Sequence, residues 1–185
     1  MLYYSIEFSV DDLGAPLDPA NTDFEYFSTF YNGAGGDNLS ARIDIVAPSG
    51  TGVFTVGIAS DDGTADTTWA TDLTYDTTYR AVVSYDQDDN LATLWIDPVV
   101  ESDTSILGTN QPDAGDIISA FALRQATSDA AETVRIDNIL VGTTFESVLG
   151  PAVLKGDVDM DGDVDFADIP AFHYCLARRY VSSRS

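Results

Sequence analysis

Tyr79-Arg80-Ala81-Val82-Val83-Ser84-Tyr85, then Asp86-Gln87-Asp88-Asp89-Asn90, then Leu91-Ala92-Thr93-Leu94-Trp95-Ile96, is the stretch that decides the fold. Side chains along a strand point alternately to opposite faces. Tyr79, Ala81, Val83 and Tyr85 therefore share one face and Arg80, Val82 and Ser84 the other, as expected for a sheet buried on one side. Both runs are rich in β-branched and aromatic residues, and the residues between them are all acids or amides. The segment reads as a hairpin with a five-residue polar tip.

Outward from this hairpin, similar runs bounded by Gly, Asn, Asp and Pro occur at residues 2–10, 24–31, 40–47, 52–59, 117–124 and 133–141. With 78–85 and 91–96 they give eight expected strands and no convincing helical period before residue 150. Many short strands without helices predict two packed antiparallel sheets, an antiparallel β-sandwich of the mainly-β class. The composition changes at Gly150-Pro151. Residues 1–150 hold 25 acids and 4 arginines, whereas residues 151–185 hold 6 acids, all between Asp157 and Asp168, and 4 of the 8 basic residues. The predicted organisation is a sandwich over 1–150 and a small second unit over 151–185, joined at Leu149-Gly150-Pro151-Ala152, where proline interrupts any ladder.

The 185 residues carry 31 acids against 8 Lys and Arg, a net charge of −23. Such a field repels phosphate backbones and anionic headgroups, which argues against nucleic-acid binding and electrostatic membrane docking and favours divalent cations. With 44% hydrophobic and 11% aromatic residues the chain is nonetheless a folded protein. A single cysteine, Cys175, leaves no internal disulfide and no multi-cysteine zinc site, so a metal must be held by oxygen. No apolar run is long enough to span a bilayer, and MLYYSIEFSVDD has no basic n-region or apolar h-region. Because residues 2–10 already read as a strand, the expectation is a chain truncated from a longer secreted precursor, with an extracellular or cell-surface location.

The strands 79–86 and 92–98 resemble the paired strands of laminin-G-like, concanavalin-A-like jelly rolls. Val134-Arg135-Ile136-Asp137-Asn138-Ile139-Leu140-Val141-Gly142 is similar to the last strand of such domains in large surface proteins of planctomycete-type bacteria. The resemblance spans about residues 75–148 and implies a jelly roll, a fold that hosts lectins, glycosidases and adhesive modules alike.

The strongest chemical motif is Gly156-Asp157-Val158-Asp159-Met160-Asp161-Gly162-Asp163-Val164-Asp165-Phe166-Ala167-Asp168. With Asp157 as position 1, oxygen side chains fall at 1, 3, 5 and 9, glycine at 6 and a carboxylate at 12, the spacing of a twelve-residue calcium loop. Asp157, Asp159 and Asp161 aim at one ion, and Gly162 makes the turn that a Cβ would hinder. Asp163 offers its carbonyl, Asp165 binds directly or through water, and Asp168 closes the shell from the helix that follows. The expected cofactor is Ca2+. Two features depart from the helix-loop-helix form: Pro151-Ala152-Val153-Leu154-Lys155 is not a helix, and position 12 is Asp rather than Glu. Both resemble the dockerin type I repeat, and that resemblance, over Lys155 to about Leu176, implies a cohesin-like partner. Dockerins carry two such loops, and this chain carries one.

Other residues have plainer readings. A retaining glycosidase on this fold resembles Glu-x-Asp-x-x-Glu, and Glu7, Glu25, Glu101, Glu132 and Glu146 show no such pairing, so no catalytic residue is assigned and the chain is not expected to be an enzyme. His173 and Cys175 read as residues of a short helix after the loop. Trp95 is expected in the core. Trp69, with Tyr75 and Tyr79, is the better-exposed candidate for a sugar-stacking surface. Asn38-Leu39-Ser40 has the glycosylation pattern, and Asp61-Asp62-Gly63 and Asp86 to Asn90 are acidic tips without a ligand template. Two functions follow from these features. One is a secreted surface module binding a glycan or a surface protein. The other is an accessory component of polysaccharide breakdown, either a dockerin-bearing glycan-binding unit or a glycosidase.

Overall fold

The computed structural model describes residues 1–20, 25–32, 39–61, 64–109, 117–124 and 133–150. Among these residues the strands are β1 (Leu2–Val10), β2 (Glu25–Tyr31), β3 (Leu39–Val46), β4 (Thr55–Ala59), β5 (Thr67–Thr68), β6 (Tyr79–Asp86), β7 (Leu91–Ile96), β8 (Ile106–Leu107), β9 (Ala120–Leu123) and β10 (Val134–Gly142). One 3-10 turn, η1 (Glu146–Val148), follows β10. The strands form two antiparallel five-stranded sheets, ordered β10-β1-β6-β7-β8 and β5-β4-β3-β2-β9. The chain is mainly β, a two-sheet sandwich, and its first compact unit is Met1–Leu149. The expected unit 151–185 lies outside the described residues.

All eight expected strands are present. The fourth begins at Thr55 rather than Gly52: Phe54 makes only an isolated antiparallel bridge to Leu73, and before it the Asp72 carboxylate accepts the backbone N–H groups of Ser49 (2.8 Å), Gly50 (2.8 Å) and Gly52 (3.0 Å). These bonds, that of Gly52 foremost, hold the Asp72 carboxyl below the usual carboxylate range. The two strands missing from the sequence reading, β5 and β8, have two residues each, too few for a period of two to show. They are edge strands of opposite sheets, and the Thr67 hydroxyl donates to the Leu107 carbonyl (2.8 Å), bridging the two sheets at this side.

The core is filled by the inward faces of both sheets: Tyr4, Ile6, Phe8 and Val10 of β1, Ala41, Ile43 and Ile45 of β3, Val56 and Ile58 of β4, and Ala81, Val83 and Tyr85 of β6. Tyr4 meets Phe30 edge to face at 4.9 Å, and its hydroxyl donates to the Ala41 carbonyl at 2.8 Å, so the ring is buried without an orphaned donor. The second face of β6 is buried as well. Val82 joins Tyr3, Trp95, Phe145 and Val148 in a separate cluster on the outer face of the first sheet, where η1 and the residues before it fold back. Trp95 packs against Phe145 (5.3 Å, 69°) and donates its indole N–H to the Glu101 carbonyl. It is a core residue as expected, but of this outer cluster rather than of the space between the sheets.

β10 contains a bulge. Ser5 pairs with Leu140 and Glu7 with Asp137, so Asn138 and Ile139 together face Ile6, and Asn138 takes φ 50°. The shift moves Ile139 and Val141 onto the side that Val134 and Ile136 occupy before the bulge.

A glycine is required at position 57. A Cβ there would stand 2.4 Å from Ala65 Cβ and 3.1 Å from the Thr67 carbonyl oxygen, because the segment before β5 is laid over β4. Gly57→Ala is expected to destabilise the sandwich by about 1–3 kcal/mol in urea unfolding, the usual cost of overpacking. An unchanged midpoint would show that this segment is not held against β4. Because the described members of both hydrophobic clusters all lie at or before Leu149, a chain of residues 1–150 should retain full β circular dichroism and a cooperative melt. Loss of either would refute an independently folding sandwich.

Candidate functional site

The six aspartates of the expected calcium site, Asp157, Asp159, Asp161, Asp163, Asp165 and Asp168, lie outside the described residues, as do His173, Cys175 and Asn38. The fit of Ca2+ to this loop therefore rests on its donor set. All the side-chain donors are hard carboxylate oxygens and there is no nitrogen or sulfur ligand among them, the chemistry that calcium takes and that zinc or copper does not prefer.

Among the described residues, no group of three or more His, Cys, Asp or Glu side chains converges on a metal-sized space. At the hairpin tip the carboxylate of Asp86 accepts the Asp88 backbone N–H (3.0 Å), and the Asn90 side-chain oxygen accepts the buried Tyr85 hydroxyl (2.9 Å). Here the polar side chains stabilise the turn itself. Asp61 is described, whereas Asp62 and Gly63 are not.

The aromatic residues considered for sugar stacking do not form a platform. Trp69 is half-buried against the main core, its backbone N–H bonded to the Val56 carbonyl (2.8 Å). Tyr75 stacks on Phe54 (5.6 Å, 14°) and donates to the Ala15 carbonyl, and Tyr79 packs on Phe8 (5.9 Å). Trp69 is the better exposed of the two tryptophans, half-buried where Trp95 is buried, but it packs on the core and not beside Tyr75 and Tyr79 in an open surface. The loop-like Thr67-Thr68-Trp69 contains β5, and pairing with β4 draws the indole onto the core.

The sequence reading missed the most unusual group of charges in the sandwich. On β3 the residues between Ala41, Ile43 and Ile45 are Arg42 and Asp44, which the pleat places together on the outer face of the second sheet. Both are buried. Arg42 Nε lies 3.3 Å from Asp44 Oδ1, and Nη2 lies 3.4 Å from Oδ2. Two guanidiniums stand by the Tyr26 ring, Arg42 at 4.5 Å and Arg124 at 4.8 Å. Burial pushes the Asp44 carboxyl up to about 7. Arg42 and an Ala65 backbone hydrogen bond oppose the rise, and the Asp66 charge adds to it. Alternation alone marks Arg42 and Asp44 as solvent-facing, so their burial could not be read from the sequence. A carboxyl titrating near neutrality can give or take a proton, but Asp44 is fully buried and already engaged by Arg42.

On the first sheet, Glu7, Thr78, Tyr79, Arg80, Asp97 and Pro98 line an open recess of about 280 Å³. Arg80 Nη2 donates to Glu7 Oε1 (3.1 Å), its Nη1 to the Leu149 carbonyl (3.0 Å) and its backbone N–H to Asp97 Oδ1 (2.7 Å). Asn138 Nδ2 donates to Glu7 Oε2 (2.7 Å). The bond from Asn138 and then that from Arg80 hold the Glu7 carboxyl below its ordinary range. These contacts tie β1, β6, β10 and the chain at Leu149 together, which is a structural role. Searches of protein-family models and of curated proteins find no match to the chain.

Proposed function

We propose that this chain is a non-catalytic module of the cell exterior or cell surface, in which a jelly-roll sandwich presents a binding surface and a dockerin-like loop binds one Ca2+. The observation that carries the reading is the spacing of Asp157, Asp159, Asp161, Asp163, Asp165 and Asp168 around Gly162, since each offset matches a ligand or turn position of a calcium loop. Without metal these carboxylates repel one another, so binding and ordering of the segment are coupled. The two-sheet architecture supports the other half of the reading, because sandwiches of this class carry glycan or protein ligands on a rigid frame. A glycan or a surface protein is the proposed ligand of the sandwich, and a cohesin-like protein the proposed partner of the loop.

Isothermal titration of the full chain tests the metal assignment. One Ca2+ should bind, Mg2+ should compete poorly because it demands a smaller and more rigid octahedron, and affinity should fall as pH drops toward about 4, where protons compete for the carboxylates. No calcium uptake at about 10 mM, weaker than the millimolar range of extracellular modules, overturns it. Binding on a glycan array without release of reducing sugar would support a binding module, whereas sugar release abolished by one carboxylate substitution would make the chain a glycosidase.

A further inference from the structure

β10 is the end strand of its sheet. It pairs with β1 along one side, and no strand of the described residues pairs with the other. Among the described residues this edge of nine residues is open, and the outward backbone N–H and C=O groups of an open edge are the template for an added strand. Natural edges are blunted by Lys, Pro, brevity, charges or bulges, and VRIDNILVG has no Lys or Pro and is not short, its charges and its bulge lying at or before Ile139. The bulge formed by Asn138 and Ile139 interrupts the strand, and the three residues beyond it, Leu140, Val141 and Gly142, pair regularly with Ser5, Tyr4 and Tyr3.

The stretch from Ile139 onward is also the apolar part. Ile139 is 42% exposed, Leu140 36% and Val141 54%. Val141 lies opposite Tyr4, on the core side of the sheet, while Leu140 lies opposite Ser5, on the outer side. An incoming strand would therefore find apolar neighbours on both of its faces as well as a ladder. Charge selects the strand. Residues 1–150 carry 25 acids and 4 arginines, so a second copy of the chain approaches against a like field. On β10 itself Asp137 is exposed, and Arg135, the only cation, is held by two 2.7 Å bonds to Asp11.

We propose that the β10 edge from Ile139 to Gly142 docks an extended segment of another protein that alternates apolar and basic side chains, adding a sixth strand to this sheet. The ladder would supply affinity, the apolar neighbours would supply register, and the basic side chains would answer the net charge. This site does not depend on the calcium assignment.

The test uses the full chain and two labelled ten-residue peptides followed by fluorescence anisotropy. One alternates valine and lysine, the other proline and lysine, so both carry the same charge but only the first can form a strand. The valine-lysine peptide should bind at least about tenfold more tightly, since it alone can form main-chain bonds to the edge. The triple variant Ile139→Thr, Leu140→Thr and Val141→Thr, which changes exposed side chains and no charge, should weaken that binding at least about fivefold, because strand addition uses those neighbours. Equal binding of the two peptides, no binding, or binding unmoved in the triple variant would overturn the proposal. So would a concentration-dependent dimer that excludes the peptide, since the edge would then serve self-association.

Discussion

Replacing Asp157, Asp159 and Asp161 together by alanine is expected to abolish calcium uptake by the full chain. Each supplies an oxygen to an ion that takes six to eight, and the remaining carboxylates cannot rebuild the shell from positions set for its other side. Asp161→Ala alone should weaken binding by at least about tenfold, or ~1.4 kcal/mol. Because metal binding and ordering of this segment are one process, the loss should also remove any calcium-induced change in its hydrogen exchange. The variants change no residue of the unit Met1–Leu149, so strand circular dichroism should stay as in the parent chain. Uptake unchanged in the triple variant would show that the loop is not the site.

Arg42→Ala should be strongly destabilising near pH 8, costing about 3–5 kcal/mol, because buried Asp44 must then either stay charged without its partner or take up a proton. Its pH dependence distinguishes this from simple loss of packing. The folded-state value of Asp44 is raised to about 7 from 3.8, so the folded chain holds this proton more tightly. The stability tied to that proton is fully present below 3.8 and is lost as pH rises through about 7. Removing Arg42 raises the folded value further, which makes the penalty small near pH 5, where Asp44 is neutral, and large above pH 7. Urea unfolding of parent and variant at matched pH measures this difference, and contributions common to both cancel. A penalty independent of pH would mean that Arg42 contributes through packing alone. Asp44→Asn should flatten the fall in stability between about pH 4 and pH 7.

The candidate sites were unequally legible in the sequence. The calcium loop is readable because all its ligands fall within twelve consecutive positions, so spacing alone defines the site. The Arg42–Asp44 pair is just as local, yet nothing in Arg42-Ile43-Asp44 announces it. What makes the pair unusual is burial, and Asp44 is shielded by residues distant in sequence, with Ala65 donating to it and Asp66 raising its pKa. The β10 edge was read correctly as a strand but not as an edge. Pairing of β1 with β10 joins the two ends of the sandwich unit, a relation that no local pattern contains.

Strand identity and the inward face of β6 were determined by the sequence itself. Tyr79, Ala81, Val83 and Tyr85 alternate with a period of two, and backbone geometry leaves such a segment one way to bury its apolar side. Only the tertiary structure decided the fate of the opposite face. Val82 and Trp95 are buried because Phe145 and Val148 return from far along the chain to cover them, while Ile139, Leu140 and Val141, no less apolar, remain exposed because no described strand adjoins β10 on its far side. Alternation records which side chains share a side, and long-range contacts decide which sides are covered.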